Sequence, residues 1–252
     1  MREDLTRIWY RTAPGSRTMI LNLLILCCVI GWSSGLPISE EKVTSYLYGY
    51  VMLPCRFSFA EALTGLSVIW NKTRNNRKLI LYKIINSEEK PEEQDPQYRG
   101  RVELSTEFPQ GNLHLILRNV TYEDEGTYYC RAANTKGHGD RKVTLSIDTL
   151  NADEPTVTLV TIGEKRRMKC RSSGVYRAPQ VQWITAQGED LSSYGRLRVT
   201  EQSNGRRLVE SVLDYDVERN KQVLCHIQEG RLRRSTRAVI SDGTHPVSVD
   251  KI

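Results

Sequence analysis

A chain of 252 residues is long enough for two ordinary domains, and 39% hydrophobic with 26% charged residues is the composition of folded domains rather than of a disordered or fibrous chain. The formal charge of +6 comes from 36 basic and 30 acidic side chains interspersed along the chain, with one tight cluster at Arg231-Leu232-Arg233-Arg234, so no nucleic-acid partner is expected. The chain has no Gly-x-Ser-x-Gly elbow and no Cys-x-x-Cys pair, and its four histidines (His114, His138, His226 and His245) are scattered. No enzymatic activity, metal or cofactor is therefore expected.

In chain order, Arg2, Arg7, Arg11 and Arg17 precede Met19–Ile30, a nearly unbroken apolar run too short to span a bilayer comfortably. Ser33-Ser34-Gly35 then supplies small residues suited to signal peptidase, so residues 1–35 are expected to be a signal peptide, with an uncleaved signal-anchor as the alternative. Cleavage would remove Cys27 and Cys28 and leave four widely spaced cysteines in an oxidising compartment.

A first domain is expected over 36–148. Tyr50–Pro54 alternates so that Val51, Leu53 and Cys55 share one face, and Leu66–Trp70 places Val68 and Trp70 together. Further strands read at 78–83, 101–104 and 112–117. Then comes Asn119-Val120-Thr121-Tyr122-Glu123-Asp124-Glu125-Gly126-Thr127-Tyr128-Tyr129-Cys130, a strand end, a tight corner and a strand reaching a cysteine two residues after a tyrosine. Cysteine, tryptophan and cysteine in this order, with a tyrosine corner, describe an immunoglobulin sandwich in which Cys55 and Cys130 bridge two sheets over Trp70. Their separation of 75 leaves room for the extra strands of a variable-type domain. Arg101 and Asp124 are expected to pair across its base, 134–140 reads as a mobile, glycine-containing loop, and 142–147 closes the sheet.

Asp148–Pro155 is polar and aperiodic and reads as the linker into a second domain over 149–242. There Cys170, Trp183 and Cys225 repeat the pattern at a cysteine separation of 55, too short for extra strands, which predicts a constant-type sandwich. Val223 stands two before the cysteine, so this domain has no tyrosine corner. Residues 243–252 read as a polar tail, and no second apolar run follows the second domain, so membrane anchoring is not expected there. The fold class is thus all-β, two tandem Greek-key sandwiches, variable-type then constant-type.

The segment Ser172–Trp183, with Gly174, Tyr176, Pro179, Val181 and Trp183, resembles the second domain of the butyrophilins and the related T-cell costimulatory and coinhibitory ligands. Val175 stands where that family has an aromatic and Arg177 where it has the first of two prolines. The resemblance covers roughly 36–242. It implies a cell-surface or secreted ligand that engages a protein receptor on T cells or other lymphocytes and modulates T-cell receptor signalling, activation and cytokine production; homophilic or heterophilic adhesion is the alternative. Relatives of this kind sit on the external side of the plasma membrane, and a cleaved, unanchored chain would be secreted.

Because Trp70, Tyr128 and Cys130 point inward, Ile69, Asn71, Tyr129 and Arg131 are expected to point outward from the same sheet, joined by Tyr82 and by Lys136 and His138 of the neighbouring loop. Ile69, Tyr82, Tyr129, Arg131, Lys136 and His138 form the expected receptor-binding set. N-linked glycans are expected at the sequons of Asn71 and Asn119, with an unmodified Asn71 as the alternative because its sequon lies inside a strand.

Overall fold

The computed structural model describes residues 40–105, 111–216 and 221–239 and the backbone of 247–248. The expected signal peptide with Cys27 and Cys28, His245 and most of the expected tail lie outside the described residues.

Strands are numbered in chain order. The first sandwich has a six-stranded sheet in the order β1 (Glu40–Leu47), β9 (Gly137–Leu150), β8 (Gly126–Asn134), β3 (Ser67–Arg74), β4 (Arg77–Ile85) and β5 (Glu88–Glu89). The facing sheet has the order β2 (Tyr50–Leu53), β7 (Leu115–Arg118) and β6 (Val102–Leu104). β1 runs parallel to β9 and the other pairs are antiparallel. The strands β4 and β5, added beyond β3, are those that distinguish a variable-type sandwich.

The second sandwich pairs β10 (Thr156–Ile162), β11 (Lys165–Gly174), β14 (Arg207–Leu213) and β13 (Gly195–Glu201) in one sheet. The other sheet holds β12 (Gln180–Thr185), β15 (Gln222–Glu229), β16 (Leu232–Val239) and the short β17 (Val247–Ser248). Four strands against three, with β17 added at the edge, is the constant-type arrangement. β17 also corrects the expectation of a plain polar tail, because Val247 and Ser248 pair with Val239 and Ala238.

Each core is built on the same device. The alternation of β2 buries Val51 and Leu53, that of β3 buries Val68 and Trp70, and a disulfide joins Cys55 to Cys130. Trp70 lies directly across from Cys130 and donates its indole N–H to the Leu113 carbonyl at 3.0 Å. In the second domain Trp183 lies across from Cys225, which is bonded to Cys170, and donates to Ser211 Oγ at 2.9 Å. A buried indole needs such a partner, because an unsatisfied N–H carries its desolvation penalty uncompensated.

The corners differ. Tyr128 donates its hydroxyl to the Asp124 carbonyl, and Arg101 Nη2 meets Asp124 Oδ2 at 2.5 Å, the pair the charges predict. In the second domain, where Val223 replaces the tyrosine, Arg167 is only 5% exposed and bonds Asp214 at 2.8 Å and Asp216 at 2.5 Å just beyond β14.

Two expectations are corrected along the chain. Residues 134–140 are not a mobile loop: β8 and β9 pair as a hairpin down to Asn134 and Gly137, with Thr135 and Lys136 alone in the turn. Asn134 Oδ1 accepts from the amides of Lys136 and Gly137 and fixes that turn. Gly137 and Gly139 are required for close approach, since a Cβ on them would lie 3.0 Å from the Phe59 ring and 2.4 Å from the Phe57 ring. Nor is the run from Asp148 to Pro155 an unstructured linker. β9 continues through buried Leu150, and Ala152 forms a bridge with Gly174.

Candidate receptor-binding face

The outward face of the six-stranded sheet is assembled by register. Ile69 on β3 lies between Arg131 on β8 and Lys83 on β4, and Asn71 lies between Tyr129 and Ile80. β9 continues these rows with Asp140 beside Arg131 and Lys142 beside Tyr129. The structure therefore brings Ile69, Asn71, Tyr129 and Arg131 together. A bulge opposite Trp70 and Asn71 shifts β4 by one residue and pairs Tyr82 with inward-facing Trp70, so Tyr82 is half-buried against the core and not on the outward face where it was expected.

The periphery is polar and largely paired. Arg131 meets Asp140 at 2.6 Å, Lys83 meets Glu93 at 2.5 Å and Lys142 meets Glu40 at 3.2 Å. The Tyr82 hydroxyl donates to Glu89 Oε1 at 2.5 Å, and burial together with that carboxylate pushes its pKa up. It stays a protonated donor at neutral pH. Lys136 sits at the hairpin turn and bonds Glu61 at 3.0 Å, and His138 is exposed across from Ala133. Half-buried Ile69, Ile80 and Tyr129 inside a ring of ion pairs have the anatomy of a recognition surface, an apolar and aromatic centre within a polar rim. Asn71 stands in that centre, whereas Asn119 is exposed at the corner between β7 and β8, with φ +52°.

Sequence reasoning missed Lys72. It takes the inward position after Val68 and Trp70, is 3% exposed, and donates Nζ to the carbonyls of Glu123 at 2.9 Å and Glu125 at 2.7 Å. Burial lowers its pKa from the ordinary 10.5 to about 8. The signal was the alternation of β3, obscured by the glycosylation sequon that contains it. Two histidines have structural work: His114 Nδ1 accepts from the Cys55 amide at 2.9 Å, and buried His226 lies 2.5 Å from Ser235 Oγ. Among the described residues no group of three or more His, Cys, Asp or Glu is placed to hold a metal ion, and no helix is long and apolar enough to cross a membrane.

The face sits on a variable-type domain whose elbow to the second domain is built from the segment that carries the resemblance. The immunoglobulin V-set domain family matches residues 38–148, and the butyrophilin subfamily 3 member A2-like Ig-C domain family matches residues 155–237. The chain is a butyrophilin-like member of the immunoglobulin superfamily. Its relatives include human butyrophilin subfamily 1 member A1, 28% identical over 190 residues, which are 75% of this chain and 36% of that protein. Rabbit T-lymphocyte activation antigen CD80 is 26% identical over 87% of this chain and 71% of its own, and the Xenopus laevis CD276 antigen homolog 26% identical over 86% and 72%. The chain thus spans about a third of the human butyrophilin's length. Built of these two immunoglobulin-type domains, the chain is not an enzyme.

Proposed function

We propose that this butyrophilin-like chain acts outside the cell as a ligand, presenting the outward face of β9, β8, β3 and β4 to a protein receptor on T cells or other lymphocytes and so modulating T-cell receptor signalling, activation and cytokine output. The observation that carries the reading is the face itself, with Ile69, Ile80 and Tyr129 enclosed by the Arg131–Asp140, Lys83–Glu93 and Lys142–Glu40 pairs. The kinship with a protein named a T-lymphocyte activation antigen supports the choice of cell. The two disulfides suit the oxidising secretory route.

Arg131 and Tyr129 are the anchors, since arginine and tyrosine dominate interface hot spots. Lys136 and His138 extend the surface along the hairpin. A glycan on Asn71 would cover the centre, so receptor-competent molecules carry none there, while a glycan on Asn119 stands clear of it. The test is immobilised chain presented with a T-cell receptor stimulus. Wild type shifts cytokine output, and a variant with Tyr129, Arg131, Lys136 and His138 all changed to alanine does not. Unchanged output with the variant, or self-association of the wild type as the only binding detected, would refute the reading and favour adhesion.

A further inference from the structure

Charge is divided unevenly between the two domains. Residues 38–148 carry fifteen basic and fifteen acidic side chains, whereas residues 155–237 carry sixteen basic and nine acidic. β11 places much of this excess on one surface. Lys165, Arg167, Lys169 and Arg171 occupy alternate positions, and a strand sends alternate side chains to the same side. Met168 and Cys170 between them are buried in the core, so the cations line the outer side. β13 adds two more: Arg196 shares a row with Val212 and Lys169, and Arg198 shares the next with Glu210 and Arg171.

Five of these cations reach solvent on the outer side, the sixth, Arg167, being only 5% exposed, and three carboxylates stand among them. Glu210 holds Lys169 at 2.6 Å, Asp214 holds Arg167 and Arg196 at 2.8 and 2.9 Å, and Asp216 holds Arg167 at 2.5 Å. Lys165, Arg171 and Arg198 are exposed and have no ion-pair partner among the described residues. Near the turn from β10 to β11, whose Glu164 and Arg166 offset each other, the face dips into a basin of roughly 500 Å³. Its lining joins Lys165, Arg167, Arg196 and Arg198 to three apolar side chains, Ile162, Leu197 and Val212, with Asp214 as the single carboxylate.

We propose that this face binds a sulfated polysaccharide, laid along β11 with its sulfates on Lys165, Arg171 and Arg198. Outward positions on one strand recur about every 6.6 Å and neighbouring strands lie about 4.8 Å apart, so the face is a grid of cations that a flexible linear polyanion can follow. Guanidinium forks suit planar pairs of oxyanion oxygens. The disulfides place the domain in an oxidising compartment, where sulfated glycans are the abundant polyanions and nucleic acid is not. The strongly negative leaflet of a membrane is the cytoplasmic one, and a flat bilayer cannot enter a concave basin. Single-stranded nucleic acid would call for stacking aromatics, and none lies in these rows.

The test compares the full chain on immobilised heparan sulfate, on phosphatidylserine vesicles and on single-stranded DNA at about 150 mM salt, with the salt dependence measured because counterion release scales with the cations engaged. The triple variant Lys165→Glu, Arg171→Glu and Arg198→Glu should lose about tenfold or more in heparan sulfate affinity and give a shallower salt slope, and the corresponding triple glutamine variant should fall between. Lys42→Glu, Lys78→Glu and Arg99→Glu, an equal change of net charge at exposed sites on the first domain, should leave affinity within about twofold. Equal weakening by both charge reversals, no weakening by the first, or tighter binding of vesicles or DNA than of heparan sulfate would overturn the proposal. All six sites are exposed, and unchanged melting temperatures will show that each variant is folded.

Discussion

Lys72 is the residue whose chemistry departs most from its surroundings. Its folded pKa of about 8 lies below the ordinary 10.5, so between those values the unfolded chain binds more protons than the folded one and stability rises with pH. Melting temperatures of wild type and Lys72→Met, compared from pH 7.5 to 9.5, should diverge in favour of the wild type; a constant difference would remove this account. The Arg101–Asp124 pair is the opposite case. It could be anticipated from charge and position, and Asp124 also accepts from the Thr121 amide at 2.7 Å. Arg101→Met leaves that buried carboxylate without its cation and should cost about 3 kcal/mol in urea denaturation, since breaking a buried pair from one side is expensive. A loss below 1 kcal/mol would mean that Asp124 is sustained by its Thr121 contacts alone.

At the scale of elements, what could be read from the sequence was whatever depends on period-two alternation and on the spacing of cysteine and tryptophan. β2, β3, β8 and β15 declare themselves through Val51, Trp70, Tyr128 and Cys225, whose burial follows directly from alternation. The hairpin of β8 and β9 could not be read, because Gly137 and Gly139 look like loop residues. Their reason lies near Phe57 and Phe59, some 80 positions earlier in the chain, whose rings stack at 5.1 Å. Gly139→Ala should therefore displace the Phe57 ring and cost about 1 to 3 kcal/mol, as overpacking does, and the loss should shrink in the Phe57→Ala background. Independent, additive effects would separate the glycine from the rings. The expected receptor set was legible as a face in Ile69, Tyr129 and Arg131, which follow from inward Trp70 and Cys130, but its rim of ion pairs was not, because Glu40 and Glu93 come from other strands and turns.

For the whole molecule, the decisive contacts are those at the elbow. Glu229 is 4% exposed, accepts from Tyr48 at 3.1 Å and from the Ala178 amide at 2.9 Å, and offers its carbonyl to Tyr122 at 2.7 Å. Arg177, standing where the related ligands have proline, stacks 4.1 Å from the Tyr48 ring centre and bonds Asn119 Oδ1 at 2.7 Å. Arg231 lies over Tyr122 and bonds Glu125 at 2.5 Å. The segment that carries the family resemblance thus fixes the junction between the domains, while the proposed binding face lies on the first domain alone. Glu229→Ala leaves Tyr48 and the amides of Arg177 and Ala178 without their acceptor, and hydrogen exchange at residues 177 and 178 should speed up while both disulfides and the proposed receptor face stay intact. Unaltered exchange there would mean that the elbow is held by its arginines.

The measurement closest to the central claim is binding of the fluorescently labelled chain to primary T cells by flow cytometry, with Ile69→Ala, Tyr129→Ala and Arg131→Ala combined in one variant. Removing the apolar centre and its arginine should lower cell binding by about 100-fold, as the loss of two hot spots does, without changing the melting temperature by more than a few degrees. Undiminished binding by a folded variant would place the receptor site elsewhere on the molecule and contradict the account.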